Sequence, residues 1–202
     1  MKRSIIAMAI VACSLSAYAQ KNIQSLELGS EIPMSAVSMS SPQGKNVSLD
    51  QAKTKKGLVV MFSCNTCPYV IKSQKRTTEV IAYAASKGIG MVIVNSNEAY
   101  RDEDDAPDAM KAYSTKQGYK VPYLIDKQSV LADAFGATRT PEVFLFDGNG
   151  KLVYKGAMED NPSNPSESKQ LFLKMAIDNM LAGKPIDPNS TKSIGCSIKR
   201  VM

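Results

Sequence analysis

The chain contains no histidine and no tryptophan. Without histidine, a Ser-His or Cys-His catalytic couple and any His-ligated metal site are excluded. Aromatic residues make up 6% of the 202 residues and Lys/Arg do not gather into runs, so a net charge of +6 offers neither a stacking platform nor a basic stripe. Nucleic acid is therefore not an expected partner. Long apolar runs are scarce as well: residues 5–12 form a short one at the N-terminus, too short to span a bilayer, and no other segment qualifies. No permanent membrane span is expected. Cysteine occurs four times, at Cys13, Cys64, Cys67 and Cys196, and these few thiols carry the most specific chemistry in the sequence.

What is present first is an export signal. Lys2 and Arg3 precede the apolar stretch, and Ala17-Tyr18-Ala19 has the small-residue pattern of a cleavage site, so residues 1–19 read as a signal peptide and the mature chain starts at Gln20. A rival reading makes Ile10-Val11-Ala12-Cys13 a lipoprotein box with Cys13 lipidated. Both lead to an exported protein, periplasmic or secreted, in a compartment where disulfides form and persist. Hydrophobic and charged contents of 44% and 22% are those of a globular chain, long enough for one core and too short for two. Residues 20–185 are read as that domain, and residues 186–202 as an irregular tail carrying Cys196.

The pattern of elements is α/β. Turn residues at Pro33, Ser41-Pro42 and Gly44 suggest a small N-terminal β-hairpin, with a helical turn starting near Ser48. Residues 57–62 are a short apolar, β-branched run of the kind that forms a buried strand; residues 69–86 have helical spacing, and residues 89–94 give a second buried strand. This is a βαβ unit with parallel strands. The acidic run Asp102-Glu103-Asp104-Asp105 ahead of Pro107 reads as the solvated start of a helix ending near Gly118, in preference to a calcium site, because EF-hand spacing is missing. A third strand (121–126), a short helix (129–135), a hairpin (142–147 with 151–156) and a last helix (171–181) complete the pattern.

Cys64-Asn65-Thr66-Cys67-Pro68 sits where the first buried strand gives way to a helix. The attacking species in thiol-disulfide exchange is the thiolate, and unpaired N-H groups at a helix start stabilise it. Cys64 is the candidate nucleophile. Cys67, one turn on, is the candidate resolving thiol. The competing readings are a structural disulfide and half of a zinc site, but the mature chain offers only Cys64, Cys67 and Cys196 as sulfur donors, so neither a metal nor another cofactor is expected. Cys196 is an odd thiol that could resolve a disulfide with Cys64, cap the site, pair between chains or be buried.

The motif Cys64-Asn65-Thr66-Cys67-Pro68-Tyr69-Val70, together with Asn95-Ser96-Asn97 and residues 140–147, resembles the redoxin superfamily (alkyl hydroperoxide reductase/thiol-specific antioxidant) in its thioredoxin-like branch. The resemblance spans about residues 28–182. It implies a thioredoxin-like fold, a central mixed β-sheet flanked by helices with the β-hairpin as an N-terminal extension. It also implies that Pro141 is a cis-proline facing the dithiol, with the exposed backbone of Thr140 free to pair with an extended substrate segment. The peroxidase branch carries Pro and Thr where this chain has Gly57 and Met61, which argues against peroxidase activity. Thioredoxin's tryptophan is replaced by Ser63 and its buried acid by Leu58, so Glu142 becomes the candidate for proton transfer. Thr66 stands where strongly oxidising relatives have histidine, which implies a Cys64 thiol only moderately more acidic than a free one. The expected function is thiol-disulfide exchange in the sense of reducing protein disulfides, with protein thiols or disulfides and an electron donor as partners. Thiol peroxidase, copper handling and redox-inert binding are the alternatives.

Overall fold

The computed structural model describes residues 23–201; the signal-peptide reading and Cys13 lie outside the described residues. The expected N-terminal hairpin is present as β1 (Met39–Ser40) paired antiparallel with β2 (Asn46–Val47). It runs into α1 (Leu49–Ala52), where the Ser48 hydroxyl accepts the Gln51 N-H and the Gln51 side chain accepts the Ser48 N-H. This reciprocal cap satisfies two donors that a helix start otherwise leaves unpaired.

β3 (Leu58–Ser63) is buried along its whole length, as its apolar run requires. The helical stretch behind it is two helices, α2 (Pro68–Lys72) and α3 (Gln74–Lys87), separated at Ser73, which closes the first and opens the second. Gly88 ends α3 in the left-handed conformation, and β4 (Gly90–Asn95) returns parallel to β3. α4 (Pro107–Lys116) follows, then β5 (Tyr123–Ile125), α5 (Val130–Phe135), β6 (Arg139–Thr140), β7 (Glu142–Phe146), β8 (Leu152–Gly156), α6 (Phe172–Leu181) and β9 (Cys196–Ser197).

The main sheet has the order β5-β4-β3-β7-β8, parallel on the β4 side of β3 and antiparallel on the β7 side. Successive residues of its central strands point to opposite faces. Val59, Met61, Ile93 and Val143 pack on one face with Val80, Ile81, Leu173 and Ile177 of α3 and α6. Leu58, Val60, Phe62 and Phe144 pack on the other with Leu131 and Phe135 of α5. There the rings of Phe62, Phe135 and Phe144 meet edge to face at 5.1–5.7 Å between centroids. The result is a mixed α/β sheet flanked by helices, as the resemblance implies. Among the described residues no helix is long and apolar enough to cross a membrane.

The entry to β4 is a point of close backbone approach. A Cβ at Gly90 would lie 1.9 Å from the Ala52 carbonyl oxygen, which belongs to backbone and cannot swing away. Gly90→Ala is therefore expected to cost about 3 kcal/mol through overpacking. Urea unfolding should show this as a lower midpoint at unchanged slope.

The tail of residues 186–202 is irregular over most of its described length and contributes one short strand. β9 pairs antiparallel with β6 in the register Arg139↔Ser197 and Thr140↔Cys196. Ile198 is buried in the core, and the Ile198 and Lys199 N-H groups donate to the Thr138 carbonyl and the Asn97 side chain. Arg200 donates to Asp133 and to the Ala137 carbonyl. The apolar and charged residues that flank Cys196 thus anchor it to the body of the fold.

Candidate active site

Cys64 and Cys67 lie in the turn between β3 and α2, with 2% and 3% of their surface exposed. The position expected for Cys64 is taken by Cys67: Pro68 opens α2, Cys67 is the cap residue, and Cys64 lies three residues earlier in the turn. Proline fits there because the first helical N-H has no partner within the helix. The Thr140-Pro141 peptide bond is cis, as the resemblance implies. Thr140 touches both thiols: Cys64 Sγ and Thr140 Oγ1 are hydrogen-bonded at 3.4 Å, and Cys67 Sγ donates to the Thr140 carbonyl at 3.2 Å.

Two site expectations are corrected here. Thr140 is fully buried, and the tail strand β9 already pairs with its backbone, so that edge is not exposed to an incoming segment. Glu142 is half-buried, and its carboxylate accepts the N-H groups of Thr138 and Arg139 at 2.8 and 3.0 Å. Burial raises its pKa, while its hydrogen bonds are spent on holding the loop before Pro141. It serves the cis-proline loop as a staple.

The buried acid comes from elsewhere. Asp105, read from sequence as part of a solvated helix start, is fully buried ahead of α4, and its carboxylate accepts the Asn65 N-H at 2.9 Å and the side-chain amides of Asn95 and Asn97 at 2.7 and 2.9 Å. Asn65 is gripped further: its side-chain amide donates to the Asp104 carbonyl at 2.7 Å, and its side-chain oxygen accepts the Tyr123 hydroxyl at 2.9 Å. The residue between the two cysteines that looks incidental in sequence is the anchor of the dithiol turn. Asn95-Ser96-Asn97, polar residues at the end of a buried strand, were the available signal for this cage.

These surroundings also reverse the expected acidity of Cys64. Its thiol is pushed far above the usual range by its hydrogen bond to Cys67, by burial and by the charge of Asp105. Cys67 is shifted down, chiefly because the Cys64 thiol donates to it, with further support from Cys196 and the Val70 N-H. Hydrogen bonding within the pair thus sets the two thiols apart in acidity, Cys64 up and Cys67 down, so that they titrate as a pair.

A third thiol completes the cluster. Cys196 Sγ accepts a hydrogen bond from Cys67 Sγ at 2.7 Å, a separation longer than the ~2.05 Å of a disulfide bond. All three sulfurs are free thiols. Gly195 makes the approach possible, since a Cβ there would stand 2.1 Å from the Thr140 carbonyl oxygen. Gly195→Ala is expected to loosen β9 and raise the rate of maleimide labelling at Cys196 by about 10-fold or more, because local opening then controls access. Labelling followed by peptide mass spectrometry reads this directly.

A mixed sheet with a buried Cys-x-x-Cys turn set against a cis-proline loop defines a thioredoxin-like protein, and the class it points to is the thiol-based oxidoreductases. The chain belongs to the Redoxin family, whose profile matches residues 27–171. Cys196 lies beyond that match. Among solved structures, the chain is similar to a hypothetical protein from Sinorhizobium meliloti 1021, with 30% identity, a TM-score of 0.78 and coverage of 88% of this chain and 97% of that one. It is also similar to an uncharacterized conserved protein from Geobacillus kaustophilus, with 33% identity, a TM-score of 0.78 and coverage of 87% and 93%. The thioredoxin domain of a thiol-disulfide oxidoreductase from Bacteroides vulgatus shares the fold at 22% identity and a TM-score of 0.56, over 71% of this chain and 97% of that one. Among curated proteins, none matches significantly.

Proposed function

We propose that the protein is an exported thiol-disulfide oxidoreductase that exchanges disulfides through Cys64 and Cys67 and reduces protein disulfides. The observation that carries this reading is the buried Cys64-Cys67 pair held against the cis Thr140-Pro141 loop, with Thr140 hydrogen-bonded to both sulfurs. Cys67 Sγ is engaged by the Thr140 carbonyl and by Cys196, which leaves Cys64 as the sulfur that takes a new partner. Cys64 attacks one sulfur of the substrate disulfide; the substrate S-S bond breaks as the Cys64 mixed disulfide forms, and the first substrate sulfur leaves as a thiol with the proton that Cys64 gives up. The mixed disulfide is then attacked by Cys67, which closes the Cys64-Cys67 bond and releases the second substrate thiol.

The charge beside Cys64 supports the reducing direction. The Asp105 charge raises the Cys64 pKa and so opposes a thiolate there, which disfavours the reduced, ionised form of the site relative to the disulfide. Export rests on the N-terminal leader pattern, and an external dithiol donor is the partner that restores the reduced state.

The test is an insulin-reduction assay beside a peroxide-consumption assay, on the wild type and on a Cys64→Ser/Cys67→Ser double variant. Insulin reduction by the wild type alone supports the reading. Consumption of peroxide without insulin reduction would replace it with a peroxidase, and inactivity in both would leave a binding module.

A further inference from the structure

Cys64 and Cys67 are almost wholly enclosed, yet a dithiol that turns over must be restored by an external reductant. Cys196 is the less buried of the three thiols and touches Cys67 directly. Its position is set by structure on both sides: Cys196 pairs with Thr140 across β6 and β9, Gly195 permits the close approach, and Ile198 is anchored in the core. Cys67 thus stands between two possible sulfur partners, Cys64 on the inner side and Cys196 on the tail.

We propose that Cys196 is a third redox-active thiol that relays the disulfide from the buried pair to the surface; the relay rests on the dithiol reading of Cys64 and Cys67. Starting from the Cys64-Cys67 disulfide, Cys196 sulfur attacks Cys67 sulfur. The Cys67-Cys196 bond forms as the Cys64-Cys67 bond breaks, Cys64 leaves with the electron pair, and the proton lost by Cys196 is taken up by Cys64. No net oxidation occurs in this step. A dithiol reductant then attacks the tail sulfur, forms a mixed disulfide with Cys196 and displaces Cys67 as a thiolate; the second donor thiol closes its own disulfide and frees Cys196. The two electrons come from the donor dithiol, and the chain ends with three thiols.

The experiment uses the full chain in four forms: wild type, Cys64→Ser, Cys67→Ser and Cys196→Ser. Each is oxidised with one equivalent of diamide, quenched in acid, alkylated and digested with trypsin. Cys64→Ser is expected to yield the peptide 57–72 joined to the peptide 193–199 within one chain, at about 10-fold or greater excess over the same pair of peptides from Cys67→Ser, because attack is governed by which sulfur is within reach. Cys64→Ala is run in parallel, and circular dichroism confirms that each variant is folded. With dithiothreitol as donor, oxidised Cys196→Ser should be reduced about 10-fold more slowly than the oxidised wild type, since its disulfide stays enclosed.

The outcomes separate two failures. If Cys196→Ser forms no Cys64-Cys67 disulfide, the dithiol reading itself fails. If that disulfide forms but both Cys64 variants keep Cys67 and Cys196 as free thiols, the relay alone is overturned. Equal cross-linking of Cys196 to Cys64 and to Cys67 would also overturn it, as indiscriminate oxidation of a crowded cluster.

Discussion

Replacing either Cys64 or Cys67 with serine is expected to lower the rate of insulin reduction by about 10³-fold or more, and the two variants should fail differently. Serine keeps the size of the side chain but loses the acidity and nucleophilicity of the thiol. Cys67→Ser retains the attacking sulfur, so it should accumulate a mixed disulfide between Cys64 and the substrate, visible on a non-reducing gel and removed by dithiothreitol. Cys64→Ser removes that sulfur, and its remaining pair, Cys67 and Cys196, is already in contact. It should trap little or no substrate. The reverse pattern, with trapping in Cys64→Ser, would move the attack to Cys67, the thiol whose pKa is shifted down. The two variants therefore separate the more acidic sulfur from the sulfur that meets substrate.

Such a split is needed because sequence spacing and local electrostatics point in different directions. A Cys-x-x-Cys pair after a buried strand is legible from sequence, and so are β3, β4, β7 and β8, because apolar runs of this length bounded by turn residues have few other solutions. The cis bond before Pro141 was implied only through the resemblance. Helix boundaries were legible to within a few residues, except at Ser73, where one long pattern is two helices. That break carries a consequence for chemistry, since α2 begins at Pro68 and makes Cys67 the capping residue.

What the sequence hid were contacts between distant segments. The acidic run looked solvated because three neighbouring acids share its composition, and nothing local distinguishes Asp105 from Asp104. Its burial depends on Asn65, Asn95 and Asn97 arriving from two other segments to donate to it. Thr140 looked available because strand pairing by residues more than 50 positions away leaves no local mark. Glu142 looked like a proton carrier because it is adjacent to Pro141, whereas its carboxylate turns back to Thr138 and Arg139. Cys196 had four open readings, and only the register of β9 against β6 brings it to Cys67.

Asp105 yields the second large effect, on stability and on thiol acidity together. Asp105→Ala would leave the Asn65 N-H and the Asn95 and Asn97 amides without their acceptor in a buried cage, and should cost about 3–5 kcal/mol. Asp105→Asn keeps one oxygen acceptor and should cost less, about 1–3 kcal/mol. The more informative readout is Cys64. The Asp105 charge raises the Cys64 pKa, so removing that charge must lower it: the thiolate becomes available at lower pH. In a Cys67→Ser/Cys196→Ser background, which removes the coupled titration of neighbouring thiols, the pH midpoint for alkylation of Cys64 should fall when Asp105 becomes Asn, with peptide mass spectrometry identifying the labelled site. A more stable ionised form also makes the reduced site a weaker electron donor. In the otherwise unaltered protein, Asp105→Asn should therefore shift the glutathione redox equilibrium toward the dithiol. An unchanged midpoint together with an unchanged redox equilibrium would mean that Asp105 only anchors the Asn65 turn, and the argument for the reducing direction would lose its physical basis.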